Sequence, residues 1–515
     1  MSRYFQYGID RLDVETALQL ASKQVTGILS ESAKQKIQRS QQHISGMVAQ
    51  DATVYGVTTG FGILANKKIS SNDAAILQYK ILQSHSVGVG PAVSNNIARL
   101  MLHTKVHALA QGFSGVQLAT LERIIWHIQN DVIPVVPEKG SVGASGDLAP
   151  LAHLFLPLIG LGEVMWAGEK WNSSAVLKKF DLAPIDLGAK EGLALINGTQ
   201  FILAFAVQAI QQMENCLDAA DIIGAMSLEA LTGTKAPFDA RLHQLRPYKG
   251  SQLVARRLQL LLQDSAIMQS HLDCGRVQDP YSLRCMPQVH GASRNACLHL
   301  KELTEIELNS VTDNPVIFGE DDVISGGNFH GQPLALPLDY ACFAAAEIGN
   351  ISDRRCYLLL EGKWGLPTLL MNNVGLNSGF MLPQYTTAAL VTENKTLCFP
   401  ASADSIPTSL GQEDHVSMGS ISGRKLGQVL NNLEYILAIE LLTACQAIEF
   451  RRPLKSSALL EYAHDLVRQW VSFAEEDRIF ADDINKIKNL LADFSFVTNV
   501  HQFAAQKGIH LEQVI

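Results

Sequence analysis

The chain has 515 residues and a formal net charge of −9, with 47% hydrophobic, 18% charged and only 7% aromatic residues. Such length allows two or three packed regions, and the composition excludes a disordered chain. The acidic balance argues against a nucleic-acid surface, which needs clustered Lys and Arg. The basic pairs Arg256-Arg257, Arg354-Arg355 and Arg451-Arg452 are scattered, and each is expected on a solvated helix face.

Residues 1 to about 200 alternate short apolar runs with Gly-rich punctuation, such as Thr59-Gly60-Phe61-Gly62 and the stretch from Gly140 to Gly146. Two helical patterns interrupt them. One covers 95–110; the other, 116–129, carries Leu118, Leu121, Ile124, Ile125 and Ile128 at helical spacing. Residues 163–166 and 169–171 around Ala167-Gly168 predict a short strand pair. From Gln200 the pattern predicts a helix of some thirty residues, with Asn197 or Thr199 as its N-cap and a break near Gly224.

Three more long patterns follow at 282–308, 337–360 and 421–451. The last is apolar around much of its circumference, with Leu426, Val429, Leu430, Leu433, Ile436, Leu437, Leu441 and Leu442. A helix of that width is a central element, needing more neighbours than one chain readily supplies. Shorter helices from Ala458 onward form a cap. The expected fold is mainly α: an elongated bundle of long antiparallel helices with a smaller mixed, loop-rich N-terminal region. Its parts are an N-terminal region 1–200, a central bundle 201–455 and a helical cap 456–515.

Eight cysteines, at positions 216, 274, 285, 297, 342, 356, 398 and 445, show no C-x-x-C pair. They read as reduced core residues rather than zinc ligands or a disulfide frame, and no metal is expected. The N-terminal stretch MSRYFQYGIDRLDVETAL lacks a hydrophobic run, and no stretch of about 18 apolar residues occurs. A cytoplasmic, soluble protein without a membrane partner is expected.

Ala144-Ser145-Gly146 alone is a weak signal, since three common residues meet often by chance. It stands, however, inside GSVGASGDLAPLAHL (140–154), which is similar to the signature of the histidine, phenylalanine and tyrosine ammonia-lyases. Also similar are VYGVTTGFG (54–62), SHSVGVG (84–90), LINGTQ (195–200), VQDPYSLRCMPQ (277–288), SVTDNPVIF (310–318), GGNFHGQP (326–333), GLNSGFM (375–381) and QEDHVSMG (412–419). The matches are collinear. The resemblance implies an L-aspartase-like helical architecture and a homotetramer with composite active sites. It further implies a 4-methylideneimidazole-5-one group made from Ala144, Ser145 and Gly146, with no external cofactor.

The chemistry calls for such a group. Ammonia elimination breaks a C–N bond and removes a β-proton of very low acidity, so an electrophile must activate the substrate. If the Gly146 nitrogen attacks the Ala144 carbonyl and two waters leave, Ser145 supplies the methylidene carbon. A side chain at position 146 would crowd that closure, and Gly143 gives the loop its backbone freedom. From the resemblance, Tyr281 would be the base, its phenol partly ionised by nearby positive charge or a helix N-terminus. Tyr55 would support the proton transfers. Arg284 would grip the substrate carboxylate, Asn197 would contact that carboxylate and the prosthetic group, and Gln278 and Phe329 would line the pocket.

Two positions speak to substrate. His85 matches the histidine- and tyrosine-selective members, and Glu413 matches the carboxylate that histidine lyases place near the imidazole. A buried carboxylate pairs with an imidazole N–H but repels an ionised phenol. The expected reaction is therefore conversion of L-histidine to trans-urocanate, with a tyrosine ammonia-lyase or a 2,3-aminomutase as the alternative. Thr58 and Ser86 depart from the usual histidine-lyase pattern. A fumarase-type elimination is disfavoured because Cys285-Met286-Pro287 is flanked wrongly for that signature.

Overall fold

A computed structural model describes residues 3–50, 59, 71–273, 275–320 and 322–511. The fold is mainly α, with a few two- and three-stranded sheets. Two compact units divide the chain: residues 1–208, 300–338 and 400–424 form the first, and residues 209–299, 339–399 and 425–515 the second. Among the described residues no helix is long and apolar enough to cross a membrane.

In the first unit, the predicted strand pair is the antiparallel hairpin Glu163–Trp166 with Glu169–Asn172. It turns through Ala167 and Gly168, both at positive φ, which matches the right-handed twist of the strands. Helix Asn95–Ala110 has the predicted bounds, and Ser94 caps it by accepting from the Ile97 N–H. The second helix is Leu118–Gln129, two residues shorter than expected. Gly115 precedes it at φ +69°, and the Gln117 N–H donates to Glu191 rather than entering a helical turn. Helices Val14–Ala21, Glu31–Ala49 and Ser71–His85 were not anticipated; this region is more helical than its glycines suggest.

The four long helices are Gln200–Ala230, Met286–Leu308, Gln332–Leu360 and Gly419–Glu449. The first is unbroken. A Cβ on Gly224 would lie 2.6 Å from the Met286 sulfur, so this glycine permits close packing rather than a break. The third begins five residues before Pro337, which sits inside it. The pattern expected from 282 is two elements, a turn Tyr281–Arg284 and then the helix from Met286. Helix Met381–Leu397 was also unforeseen.

The Leu, Val and Ile residues of Gly419–Glu449 from Leu426 to Leu442 are each at most 1% exposed within the single chain. The expectation that this helix needs other subunits to cover it is therefore corrected. Partly exposed apolar side chains of the second unit lie elsewhere: Tyr340, Phe343 and Tyr357 along Gln332–Leu360, and Leu382 and Tyr385 on Met381–Leu397.

The basic pairs also differ from expectation. Arg257 and Arg355 are fully buried. Arg257 and Arg294 both pair with Asp218 and Asp221, at 2.6 to 3.2 Å, and His290 Nδ1 lies 2.8 Å from Asp221. Arg355 binds Glu440 through Nε at 2.6 Å and Nη2 at 2.9 Å, and Ser227 donates to the same carboxylate. Arg451 donates to the carbonyls of Ala230 and Trp364. Burial of a guanidinium requires such partners. None of the described cysteines forms a disulfide; five are buried, while Cys285 and Cys398 are half-buried. Cys274 lies outside the described residues.

Candidate active site

The loop from Gly140 to Asp147 lies in the first unit and is pinned on two sides. Gly143 and Gly146 stand at φ +72° and +75°, a left-handed conformation that glycine adopts without strain. A Cβ on Gly143 would meet Ser417 Oγ at 2.1 Å; one on Gly146 would meet the Gly198 carbonyl oxygen at 2.1 Å and the Phe329 carbonyl oxygen at 3.0 Å. The Met418 N–H donates to the Val142 carbonyl at 2.9 Å, and Ser420 Oγ to the Ser141 carbonyl at 2.7 Å. Ala144 packs with Val416 and Met418. The 412–419 motif is thus laid against the Ala-Ser-Gly loop.

On the other side runs the 195–200 motif. The Gly198 N–H donates to the Ser145 carbonyl at 3.3 Å, and the Asp147 N–H donates to the Gly198 carbonyl at 2.7 Å. Asp147 is fully buried, and its Oδ2 accepts from the N–H groups of Phe201 and Ile202 at 2.9 and 3.0 Å. Thr199 stands at the N-cap position of Gln200–Ala230, as one of the two expected residues, its carbonyl accepting from the Leu203 N–H at 2.8 Å, but the side-chain cap is supplied by Asp147 from outside the helix. Thr199 donates to Glu307 instead, and Asn197 Nδ2 to the Asn314 carbonyl at 2.8 Å and Asp313 Oδ1 at 3.4 Å. Burial pushes the Asp147 carboxyl up to about 7, against the two N–H bonds that lower it.

Beneath this motif lies a buried cation. Lys105, on Asn95–Ala110, donates to the Asn197 carbonyl. Burial lowers its pKa to about 7, with Asp313 opposing the shift. Lys190 pairs with Asp313 at 2.5 Å and completes the cluster.

A cavity of about 220 Å³ opens on the loop, lined by His85, Ala144, Gly146, Thr408 and Glu413 among others. His85 ends helix Ser71–His85, with Nδ1 3.0 Å from Ser84 Oγ. Burial lowers its pKa, while the Ile81 carbonyl and Glu413 raise it. Glu413 is fixed by Thr408, whose Oγ1 donates to Oε2 at 3.0 Å and whose N–H donates to the Glu413 carbonyl at 2.8 Å. Segments 84–90, 140–154 and 412–419, far apart in sequence, thus line one cavity, and Asn197 and Phe329 border its loop.

The 277–288 motif belongs to the second unit. Tyr281 opens the Tyr281–Arg284 turn and is 71% exposed, with the Arg284 guanidinium 4.6 Å from its ring centre. Arg284 Nε is buried without a hydrogen-bond partner among the described residues. Gln278 is exposed. Tyr55 and most of the 54–62 motif lie outside the described residues. Lys105, Asp147, Thr408 and Ser417 were missed by sequence reasoning. Asp147 stood in the quoted motif and could have been found there; Thr408 carried no signal, and Lys105 only that of a lone cation in LMLHTKVHALA.

The aromatic amino acid lyase family model matches residues 12–469. A histidine ammonia-lyase of Pseudoalteromonas atlantica is 45% identical over 96% of this chain and 97% of its own length. The crystal structure of histidine ammonia-lyase from Trypanosoma cruzi is similar at a TM-score of 0.89 and 40% identity, covering 97% of this chain and 95% of that one. A tyrosine aminomutase structure from Streptomyces globisporus reaches a TM-score of 0.92 at 33% identity, over 98% of this chain and 99% of that one.

Proposed function

The chain belongs to the aromatic amino acid lyase family, and from that premise we propose that it eliminates ammonia from L-histidine to give trans-urocanate. The observation that carries the histidine assignment is Glu413 beside His85 on the cavity that opens on Ala144 and Gly146. A carboxylate there accepts from an imidazole N–H; against a phenyl ring it would be an unpaired charge. The histidine ammonia-lyases named above support the same substrate.

The loop suits a methylideneimidazolone built from Ala144, Ser145 and Gly146. Gly146 has no side chain to obstruct attack of its nitrogen on the Ala144 carbon, and the crowding at its Cα admits none. One N–C bond forms; one water carries off the Ala144 oxygen and a second the Ser145 hydroxyl. The group supplies an electrophilic carbon that activates the substrate for loss of ammonia. Tyr281 takes the β-proton, with the Arg284 guanidinium 4.6 Å from its ring centre. Arg284, whose Nε has no hydrogen-bond partner among the described residues, binds the substrate carboxylate. Asn197 and Gln278 assist in binding, Phe329 borders the ring, Glu413 and His85 hold the imidazole, and Tyr55 supports proton transfer.

The exposed Tyr281, Tyr340, Phe343 and Tyr357 support assembly with further copies of the chain. We assign a homotetramer whose sites draw residues from different subunits, working in the cytoplasm on a small amino acid.

Incubation of the purified protein with histidine, tyrosine and phenylalanine in turn, followed by arylacrylate absorbance, tests this reading. Urocanate forms fastest if it is right. Faster coumarate formation, or a β-amino acid among the products, would replace it with the tyrosine or aminomutase alternative.

A further inference from the structure

Lys105 is 1% exposed, yet nothing in the reaction above uses it. Its ammonium donates to the Asn197 carbonyl, and the same peptide group, through the Gly198 N–H, donates to the Ser145 carbonyl at 3.3 Å. A cation on one end of a peptide polarises it and strengthens donation from the other. Three links therefore connect Lys105 to the oxygen of Ser145. The Asp147 N–H fastens the next carbonyl, that of Gly198, at 2.7 Å, so the relay has little freedom to drift.

We propose that Lys105 is a positioning residue that acts through the Asn197–Gly198 peptide to withdraw electrons from the Ser145 carbonyl. The inference rests on the reading that Ser145 becomes the methylidene carbon, since its carbonyl is then conjugated with that carbon and sets its electrophilicity. Asp313, Lys190 and Asp147 are the charged groups that act on Lys105. The carboxylates favour its charge and Lys190 opposes it. With its pKa lowered to about 7 by burial, the ammonium is present in acid and is lost as pH rises through neutrality.

The test uses the full-length protein and cyanide, which adds to an activated carbon–carbon double bond and is followed by intact mass without any substrate turnover. Wild type, Lys105→Met and Lys105→Arg are compared. If the inference holds, Lys105→Met still lacks two waters but adds cyanide roughly 10- to 100-fold more slowly, and Lys105→Arg restores most of the rate. The wild-type to Lys105→Arg ratio falls above about pH 7, a comparison in which cyanide's own ionisation cancels. Wild-type trapping by Lys105→Met overturns the proposal, as does a ratio flat across pH 6–9. If Lys105→Met does not fold, Lys105→Gln and the wild-type pH profile carry the same decision. A wild-type protein with no mass deficit and no trapping overturns instead the prosthetic-group reading.

Discussion

Glu413 is held by Thr408 at one carboxylate oxygen, which leaves it oriented before any ligand arrives, and preorganised partners act most strongly on a bound ring. Glu413→Gln keeps the shape and removes the charge. Histidine turnover should fall about 10²–10⁴-fold if the carboxylate exchanges a proton with the imidazole, while weak activity on tyrosine or phenylalanine is spared or rises. Steady-state rates on the three amino acids check this, and an unchanged histidine rate would remove Glu413 from the site. Ser145→Ala should abolish nearly all activity and the two-water mass deficit with the helical circular dichroism intact. At this scale the sequence was informative where chemistry demands unusual residues. Gly143 and Gly146 announce a special backbone, and 84–90, 140–154 and 412–419 were recognised as belonging together before the cavity brought His85, Ala144, Gly146 and Glu413 to its walls. Residues that act by position alone stayed hidden, because Thr408 and Lys105 are ordinary until the fold places them.

Helices were legible in proportion to the width of their apolar face. Gly419–Glu449 presents apolar residues on most sides and was bounded within two residues. Glu31–Ala49 buries only Ala33, Ile37, Ser40, Ile44 and Met47 amid Gln, Lys and Ser, a stripe too thin to read against the glycines nearby. Arg257 and Arg355 were misplaced for a related reason: periodicity cannot tell a solvated arginine from one whose carboxylate arrives from another element. The Arg355–Glu440 pair gives a stability prediction. Glu440→Ala leaves a guanidinium buried and unpaired, which should cost about 3–5 kcal/mol, whereas Arg355→Met with Glu440→Leu should recover most of it; denaturant midpoints decide. Asp221 adds a pH dependence. Burial raises its carboxyl, but Arg294, His290 and Arg257 outweigh that and hold it well below the usual carboxylate range. A depressed carboxyl stabilises above the unfolded pKa, near 3.9, and the benefit is lost as acid is added. Asp221→Asn should therefore be less stable than wild type at neutral pH, with the gap closing below about pH 4.

The whole molecule poses the question of how Tyr281 and Ser145 share a reaction. Tyr281 is exposed and Arg284 Nε has no partner among the described residues, as expected of groups that await a neighbouring surface. Sequence reasoning looked for that surface on the most apolar helix, and the single chain buries that helix by itself. A better signal is an apolar residue left outside on a long helix, and Tyr340, Phe343 and Tyr357 supply it at positions 340, 343 and 357, which share one face. Replacing Tyr340 and Phe343 with Lys should dissociate the assembly, as read by light scattering, and abolish turnover while helical content persists. A sharper experiment mixes two dead variants. Co-expressed Ser145→Ala and Tyr281→Phe chains assemble at random. If each site takes these residues from different subunits, some sites receive both intact, and roughly a quarter of wild-type activity returns. If both residues come from one chain, every site carries a lesion and the mixture stays inactive, which would refute composite sites even in a tetramer.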